Sequence, residues 1–255
     1  MDNVLLVDIG NTSIKWALNE SGHLMDMLQL QYPEDVSDIF FIECLGKVNK
    51  PNKVFVTCVA GSEVWQAFTD AINTLWYINV ERVISKSNGY GLINGYEKPA
   101  ELGSDRWCAL IGAYHEADSG VIVIDCGSAI TIDIVNQSGE HLGGYILPGL
   151  TMMKKNLGLN TAQVKVNTSS LEGNTISPAH STSGCVAAGV NLAAVSTIEA
   201  VIKQQLTHRS DSNSRDLKCF ITGGDADLVA EHMTTEIVNM ENLVIRGLTF
   251  IAENN

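Results

Sequence analysis

Apolar runs that end abruptly in an aspartate or a glycine set the rhythm of this chain. Residues 3–9, "NVLLVDI", are almost continuously aliphatic, which predicts a strand buried on both faces. Residues 13–18, "SIKWAL", alternate apolar and polar positions and predict the next strand, with a turn at "NESGH" and a third strand at "LMDMLQL". Helical spacing follows over 34–48, then a strand at "KVFVTCVA" and an amphipathic helix at "EVWQAFTDAINTL". The succession then begins again. "GVIVIDC", "AITIDIV", a turn at "NQSGEH" and "LGGYIL" predict three more strands, and helices are expected at about 150–158 and 186–206. "LKCFITGG" reads as a strand, "DADLVAEHM" as a helix and "LVIRGLTFIAE" as the last helix. Each half thus offers three strands in hairpin succession, then alternating helix and strand. That pattern predicts a sheet with a meander on one side and parallel strands on the other. Residues 161–183 and 207–216 are rich in polar residues and read as loops.

The two halves are related. Residues 4–22, "VLLVDIGNTSIKWALNESG", overlay residues 121–139, "VIVIDCGSAITIDIVNQSG", without a gap, sharing Val, Asp, Gly, Asn, Ser and Gly. A chain of 255 residues with 45% hydrophobic residues buries a sizeable core as one large domain or two small ones. Its formal net charge of −13 argues against binding bulk nucleic acid, whose affinity rests on neutralised phosphates. A local cradle of amides with a metal ion still admits ATP. Six scattered cysteines without a C-x-x-C predict free thiols in a reducing cytosol. No basic leader precedes the first strand, and the most apolar window, 184–202, is interrupted by Asn191 and Glu199, so it reads as a buried helix rather than a membrane span.

The chemistry concentrates where strands end. Asp8 and Asp125 each close a buried strand and stand two residues before a glycine. Amides around "GNTS" suit phosphate oxygens, and a carboxylate beside them demands a bridging cation. The competing reading is that Asp-x-Gly only makes hairpin turns; two matched copies favour a cleft with two facing loops. At a third such edge, Thr222, Gly223, Gly224 and Asp225, small residues let an adenine ring or ribose lie against backbone. No Walker-type loop and no G-x-G-x-x-G occurs. The six histidines lack metal-ligand spacing and read as surface or structural; the four tryptophans read as core or interface.

Together these loops resemble the actin-like ATPase superfamily of sugar kinases, acetate kinase, Hsp70 and actin. Four further motifs, "GYEKPAELGSDRW" (95–107), "DCGSAITID" (125–133), "GGYILPG" (143–149) and "STSGCVAAG" (181–189), resemble in this order the type III pantothenate kinases. The resemblance spans residues 4–250. It implies two duplicated ribonuclease H-like halves, 1–117 and 118–255, with the active-site cleft between them. It further implies ATP-dependent phosphorylation of pantothenate to 4′-phosphopantothenate, the first step of coenzyme A synthesis, by a cytoplasmic homodimer with no nucleic-acid or membrane partner.

The same resemblance assigns residues. The ATP-phosphate loop falls on Asp8, Ile9, Gly10, Asn11, Thr12, Ser13, Ile14 and Lys15, with Asp8 near Mg²⁺. Substrate contacts fall on Tyr96, Gly103, Ser104, Asp105, Arg106 and Thr182, with Asp105 the general base. Asp125 falls on the monovalent-cation ligand, for K⁺ or NH₄⁺, and Ser128 on an ATP contact where the family usually has threonine. Ser181 stands where asparagine is common. Each residue also has a plain role open to it. Asp105 suits a helix's first turn, Arg106 a surface ion pair, Tyr96 loop packing, and Lys15 can face solvent. Another small-molecule kinase of the superfamily, or a nucleotide-sensing regulator without catalysis, shares parts of this set.

Overall fold

A computed structural model describes residues 3–117, 119–160, 173–207 and 217–255; most of the two expected polar loops, with His208, lies outside them. The chain divides into two compact units, Met1–Glu116 with Leu243–Asn255, and Ala117–Asn242.

The first unit holds β1 (Asn3–Ile9), β2 (Ser13–Glu20), β3 (His23–Leu24), β4 (Leu28–Gln31), α1 (Asp38–Leu45), β5 (Lys53–Cys58), α2 (Ser62–Trp76), β6 (Val80–Val83), the hairpin β7 (Asn88–Gly89) with β8 (Leu92–Ile93), and α3 (Ser104–Ala117). Its sheet runs β3-β2-β1-β5-β6, with β4 also on β2. β1 pairs antiparallel with β2 and parallel with β5, and β6 extends the parallel side. Odd-numbered residues of β1, from Leu5 to Ile9, face a core built with α1 and α2 and centred on Phe41, Phe68 and Trp76. The first helix is shorter than the 34–48 expected. The third strand is split, because Asn19 faces Leu24 while Ser13 faces Gln31. That one-residue offset is taken up by the three residues between the pieces, in the manner of a bulge.

The second unit repeats the plan with β9 (Gly120–Cys126), β10 (Ala129–Val135), β11 (His141–Pro148), α4 (Leu150–Asn160), α5 (Thr182–Thr207), β12 (Leu217–Thr222), α6 (Ala226–Glu231) and β13 (Val238–Asn239). The sheet order is β11-β10-β9-β12-β13, the same succession as in the first unit. Ile122, Ile124, Ile130, Ile132 and Ile134 face α5, which contributes Val190, Ala194, Val195, Ile198, Val201 and Ile202. α5 is long and apolar enough to cross a membrane by length and composition, yet half of its most apolar window is buried within the protein. Asn191, fully buried on it, donates its amide to the carbonyls of Gly173 (2.7 Å) and Thr175 (3.2 Å). All six cysteines are free, and Cys58, Cys108, Cys126 and Cys219 are buried.

The expected division at 117/118 needs one correction. The last helix, α7 (Leu243–Glu253), belongs to the first unit, where it packs on β1, β2 and β5. It crosses α3 through glycines: a Cβ on Gly112 would lie 2.8 Å from the Leu243 carbonyl, and one on Gly247 would collide with the Cys108 carbonyl. The contact requires bare backbone at both positions.

Candidate active site

Register places the first group of residues. Asp8 lies opposite Lys15 on β2 and beside Thr57 on β5. Cross-strand neighbours share a face, so Lys15 lies on the face of Asp8 and is half-buried there, not turned to the far side of the sheet. Asp8 is 8% exposed and Thr57 fully buried. The turn beyond Asp8 is closed by the Gly10 amide donating to the Ser13 carbonyl (3.0 Å), with Asn11 and Thr12 exposed at its tip. Ile9 and Ile14 are fully buried in the core, so any contact they make with a nucleotide is through backbone alone.

The second group lies where the 94–103 loop enters α3. Asn94, a buried amide, donates to the Lys86 and Pro99 carbonyls (3.1 and 3.2 Å) and accepts from the Tyr96 amide (3.0 Å). Buried Ser85 donates to the Leu102 carbonyl (2.8 Å). The loop is therefore held from inside before α3 begins. Arg106 is 8% exposed, so it is no surface ion pair; its Nη1 donates to the Tyr96 hydroxyl (2.8 Å) and its guanidinium lies 5.5 Å from that ring. Asp105 is half-buried in the first turn of α3, and its Oδ1 accepts from the Arg106 amide (2.7 Å). The carboxylate folds back over Gly103, where a Cβ would fall 2.5 Å from Oδ1. Burial pushes the Cys108 thiol well up, the charges of Asp8 and Asp105 push the same way, and a hydrogen bond with Thr57 opposes them. Both carboxylates therefore act on this one buried sulfur in the same unit.

The second unit repeats the strand-end arrangement. Asp125 lies opposite Thr131 on β10 and beside Thr222 on β12, as Asp8 lies beside Thr57. Gly223 has φ +99°, and a Cβ there would fall 2.5 Å from both Asp125 Oδ1 and the Cys126 carbonyl. The Gly223 backbone is packed so closely on the half-buried carboxylate that no side chain fits there. The Gly149 amide donates to the Ser128 carbonyl (3.1 Å), and the Asp225 amide to the Cys126 carbonyl (3.0 Å), so three loops meet around Asp125. Ser128 is exposed in its turn. Thr182 is exposed as the first residue of α5, and Ser181 caps that helix, its Oγ accepting from the Gly184 amide (3.1 Å).

The structure thus gathers Asp8–Lys15, Tyr96 and Gly103–Arg106 in one unit, and Asp125, Ser128 and Thr182 in the other. Sequence reasoning missed Thr57, Ser85, Asn94 and Lys154. Lys154 on α4 is 8% exposed. Burial pulls its ammonium below the usual value while Asp225 opposes, and burial pushes the Asp225 carboxyl up while Lys154 opposes. Among the described residues no cluster of three or more His, Cys, Asp or Glu side chains forms a metal cage. His141, read as structural, is buried against Asp133 (2.9 Å).

Comparison with known proteins gives a consistent result. A family model described as type III pantothenate kinase matches residues 4–204. A type III pantothenate kinase of Nitrosococcus oceani is 34% identical over 98% of this chain and 94% of its own length. A Campylobacter jejuni structure described as a Baf family transcriptional activator is 25% identical, with TM-score 0.60 and 98% of each chain covered. A ROK family glucokinase from Streptomyces griseus, in complex with glucose and AMPPNP, matches at TM-score 0.53 and 12% identity over 99% of this chain and 100% of its own. The last likeness shows the fold: two ribonuclease H-like halves of the actin-like ATPase and sugar kinase kind.

Proposed function

The chain belongs to the type III pantothenate kinase family, and from that premise we propose how its residues divide the work. The enzyme uses ATP to phosphorylate pantothenate, giving 4′-phosphopantothenate in the first step of coenzyme A biosynthesis. The observation that carries the residue assignment is the Asp105–Arg106–Tyr96 group, a carboxylate and a buried, hydrogen-bonded guanidinium on one helix turn.

Asp105 orients the primary hydroxyl of pantothenate toward the γ-phosphoryl group and accepts its proton late in the transfer. Arg106, its plane fixed by the Tyr96 hydroxyl, binds the pantothenate carboxylate through paired N–H groups. Thr182 adds a hydroxyl contact. The Gly10–Ser13 turn and Lys15 receive the phosphates, and Ser128 contacts the nucleotide.

Two cations fit the donor chemistry. Asp8 is a buried carboxylate beside the phosphate turn, a hard oxygen ligand of the kind Mg²⁺ takes directly or through water. Asp125 is a half-buried carboxylate whose Oδ1 lies close to the Cys126 carbonyl at the Gly223 backbone, oxygen donors of the kind K⁺ or NH₄⁺ takes. Bound there, the two cations would supply positive charge where the phosphates gain negative charge. Lys154 steadies Asp225, whose amide ties the Gly223–Gly224 loop to β9.

We assign a homodimer to edge strand β11 of the second unit, where Leu142, Tyr145 and Ile146 are exposed apolar side chains. The free thiols suit the cytoplasm. Light scattering that returns only the monomer mass would refute the dimer. The catalytic reading is tested by ADP release with Mg²⁺ and K⁺, with and without pantothenate. Release that depends on pantothenate supports it. ATP binding with no such release favours a nucleotide-sensing regulator; the Campylobacter structure is described as a transcriptional activator.

A further inference from the structure

We propose that the hydroxyls of Thr57 and Ser104 form a positioning pair that locks the base-bearing helix to the end of β5, the strand beside the one that carries Asp8. The proposal rests on the reading of Asp105 as base and of the Asp8 turn as phosphate site.

Thr57 Oγ1 donates to Ser104 Oγ at 2.5 Å, across 47 residues of chain. This is at the short end of O–H···O distances. Thr57 is fully buried, one residue from the end of β5, and in parallel register with Asp8. Valine has the same shape and would satisfy packing at such a site, so the hydroxyl serves another purpose. Ser104 is the first residue of α3 and Asp105 the next. On the other side, the Ser85 hydroxyl donates to the Leu102 and Gly103 carbonyls (2.8 and 3.3 Å). Residues 102–104 are therefore gripped from two buried hydroxyls, and only that of Thr57 comes from a strand next to β1. The pair fixes the distance between the base and the phosphate turn before any substrate arrives. Its effect belongs to the transition state, where a misplacement of the base is costly, and not to the affinity for either substrate.

The test compares Thr57→Val, Thr57→Ser, Ser104→Ala and the double variant Thr57→Val/Ser104→Ala in steady-state kinetics. Thr57→Val is expected to lower kcat roughly tenfold or more while both KM values stay within about twofold. Thr57→Ser should recover most of the loss, and the double variant should be no worse than Thr57→Val alone, because each single change already removes the Thr57–Ser104 bond. Thermal melting run in parallel reads the structural cost. Wild-type kcat in Thr57→Val, a Thr57→Ser variant as slow as the valine, or additive losses would each overturn the proposal. If Thr57→Val does not fold, wild-type kcat in Ser104→Ala overturns it instead. Asp105→Asn, assayed beside them, separates the failures. Full kcat there removes the base assignment, whereas the coupling of Thr57 with Ser104 is measured with Asp105 intact.

Discussion

Gly103→Ala tests whether the Asp105 carboxylate must rest where it does. A Cβ at Gly103 would fall 2.5 Å from Asp105 Oδ1, with Asp105 Cγ at 3.6 Å and Arg106 Cδ at 3.8 Å. An ordinary contact needs about 3.5 Å or more between such atoms, so the oxygen must retreat by about 1 Å. Gly103 is not among the residues with positive φ, so alanine suits the backbone and the perturbation is confined to that collision. The obstacle is the tip of a side chain that rotates aside. Stability should therefore fall only by the lost hydrogen bond from the Arg106 amide, about 1 kcal/mol, or roughly 2–4 °C in a protein of this size. Catalysis should suffer more. A misplacement of about 1 Å in a reacting group costs on the order of 100-fold in rate, and we expect kcat to fall by that order with the KM for ATP unchanged. The assay is pantothenate-dependent ADP release at saturating ATP, with a melting curve beside it. A variant with wild-type kcat would refute both the resting position of Asp105 and its role. A variant whose only change is a raised KM for pantothenate would assign Gly103 to substrate contact instead.

Arg106→Lys keeps the charge but loses the fork that meets Tyr96. The KM for pantothenate should rise roughly ten- to a hundredfold, the value of a charged hydrogen bond, with little change in the KM for ATP, and an unchanged pantothenate KM would end the assignment. Gly223→Ala meets both a φ of +99° and the Asp125 carboxylate. It should lower the melting temperature and abolish activation by K⁺; equal wild-type rates in K⁺ and Na⁺ would remove the role given to Asp125. Burial pushes the Glu199 carboxyl up, but hydrogen bonds from the amides and hydroxyls of Thr234 and Thr235 (2.5–3.0 Å) outweigh it and hold the group below the usual carboxylate value. Its stabilisation is then present above the unfolded value, about 4.3, and is lost as pH falls through the lower folded value. Glu199→Gln should therefore melt earlier than wild type at pH 7, with the gap closing in acid; a gap independent of pH would contradict this.

The repeat was legible because a buried strand leaves few choices. Aliphatic residues fill both faces until the chain must turn, and the aspartate marks that point in each half. The gapless overlay of residues 4–22 on 121–139, however, holds only as far as the turn. Ile9 faces Ile14, whereas Cys126 faces Ile130. Four residues span the first turn and three the second. Beyond it the overlay sets Lys15 against Ile132, a solvent-reaching position against a core one. The pleat has a period of two, so a slip of one residue exchanges faces. Register instead equates Lys15 with Thr131 through their shared place opposite the two aspartates. The extra residue enlarges the first loop, the one assigned to the phosphates.

What the sequence concealed is of one kind. Ser85 and Asn94 are polar residues in loops, and nothing in their spacing separates them from the solvated Ser, Thr and Asn around them, while Thr57 stands inside the apolar run of β5 with nothing in that run to mark its partner. Only the fold decides that they are buried. α7 shows the same limit on a larger scale, since an amphipathic helix declares an apolar face but not the sheet that will cover it. Its return to the first unit depends on Gly112 and Gly247, two glycines 135 positions apart that permit a backbone crossing. Motif residues such as Asp8, Asp105 and Asp125 are legible because the reaction constrains their type. The hydroxyls and amides that hold them in place are constrained by position alone. In this molecule the accuracy of the site depends on that second set, so the Thr57–Ser104 coupling carries as much mechanistic weight as the removal of Asp105.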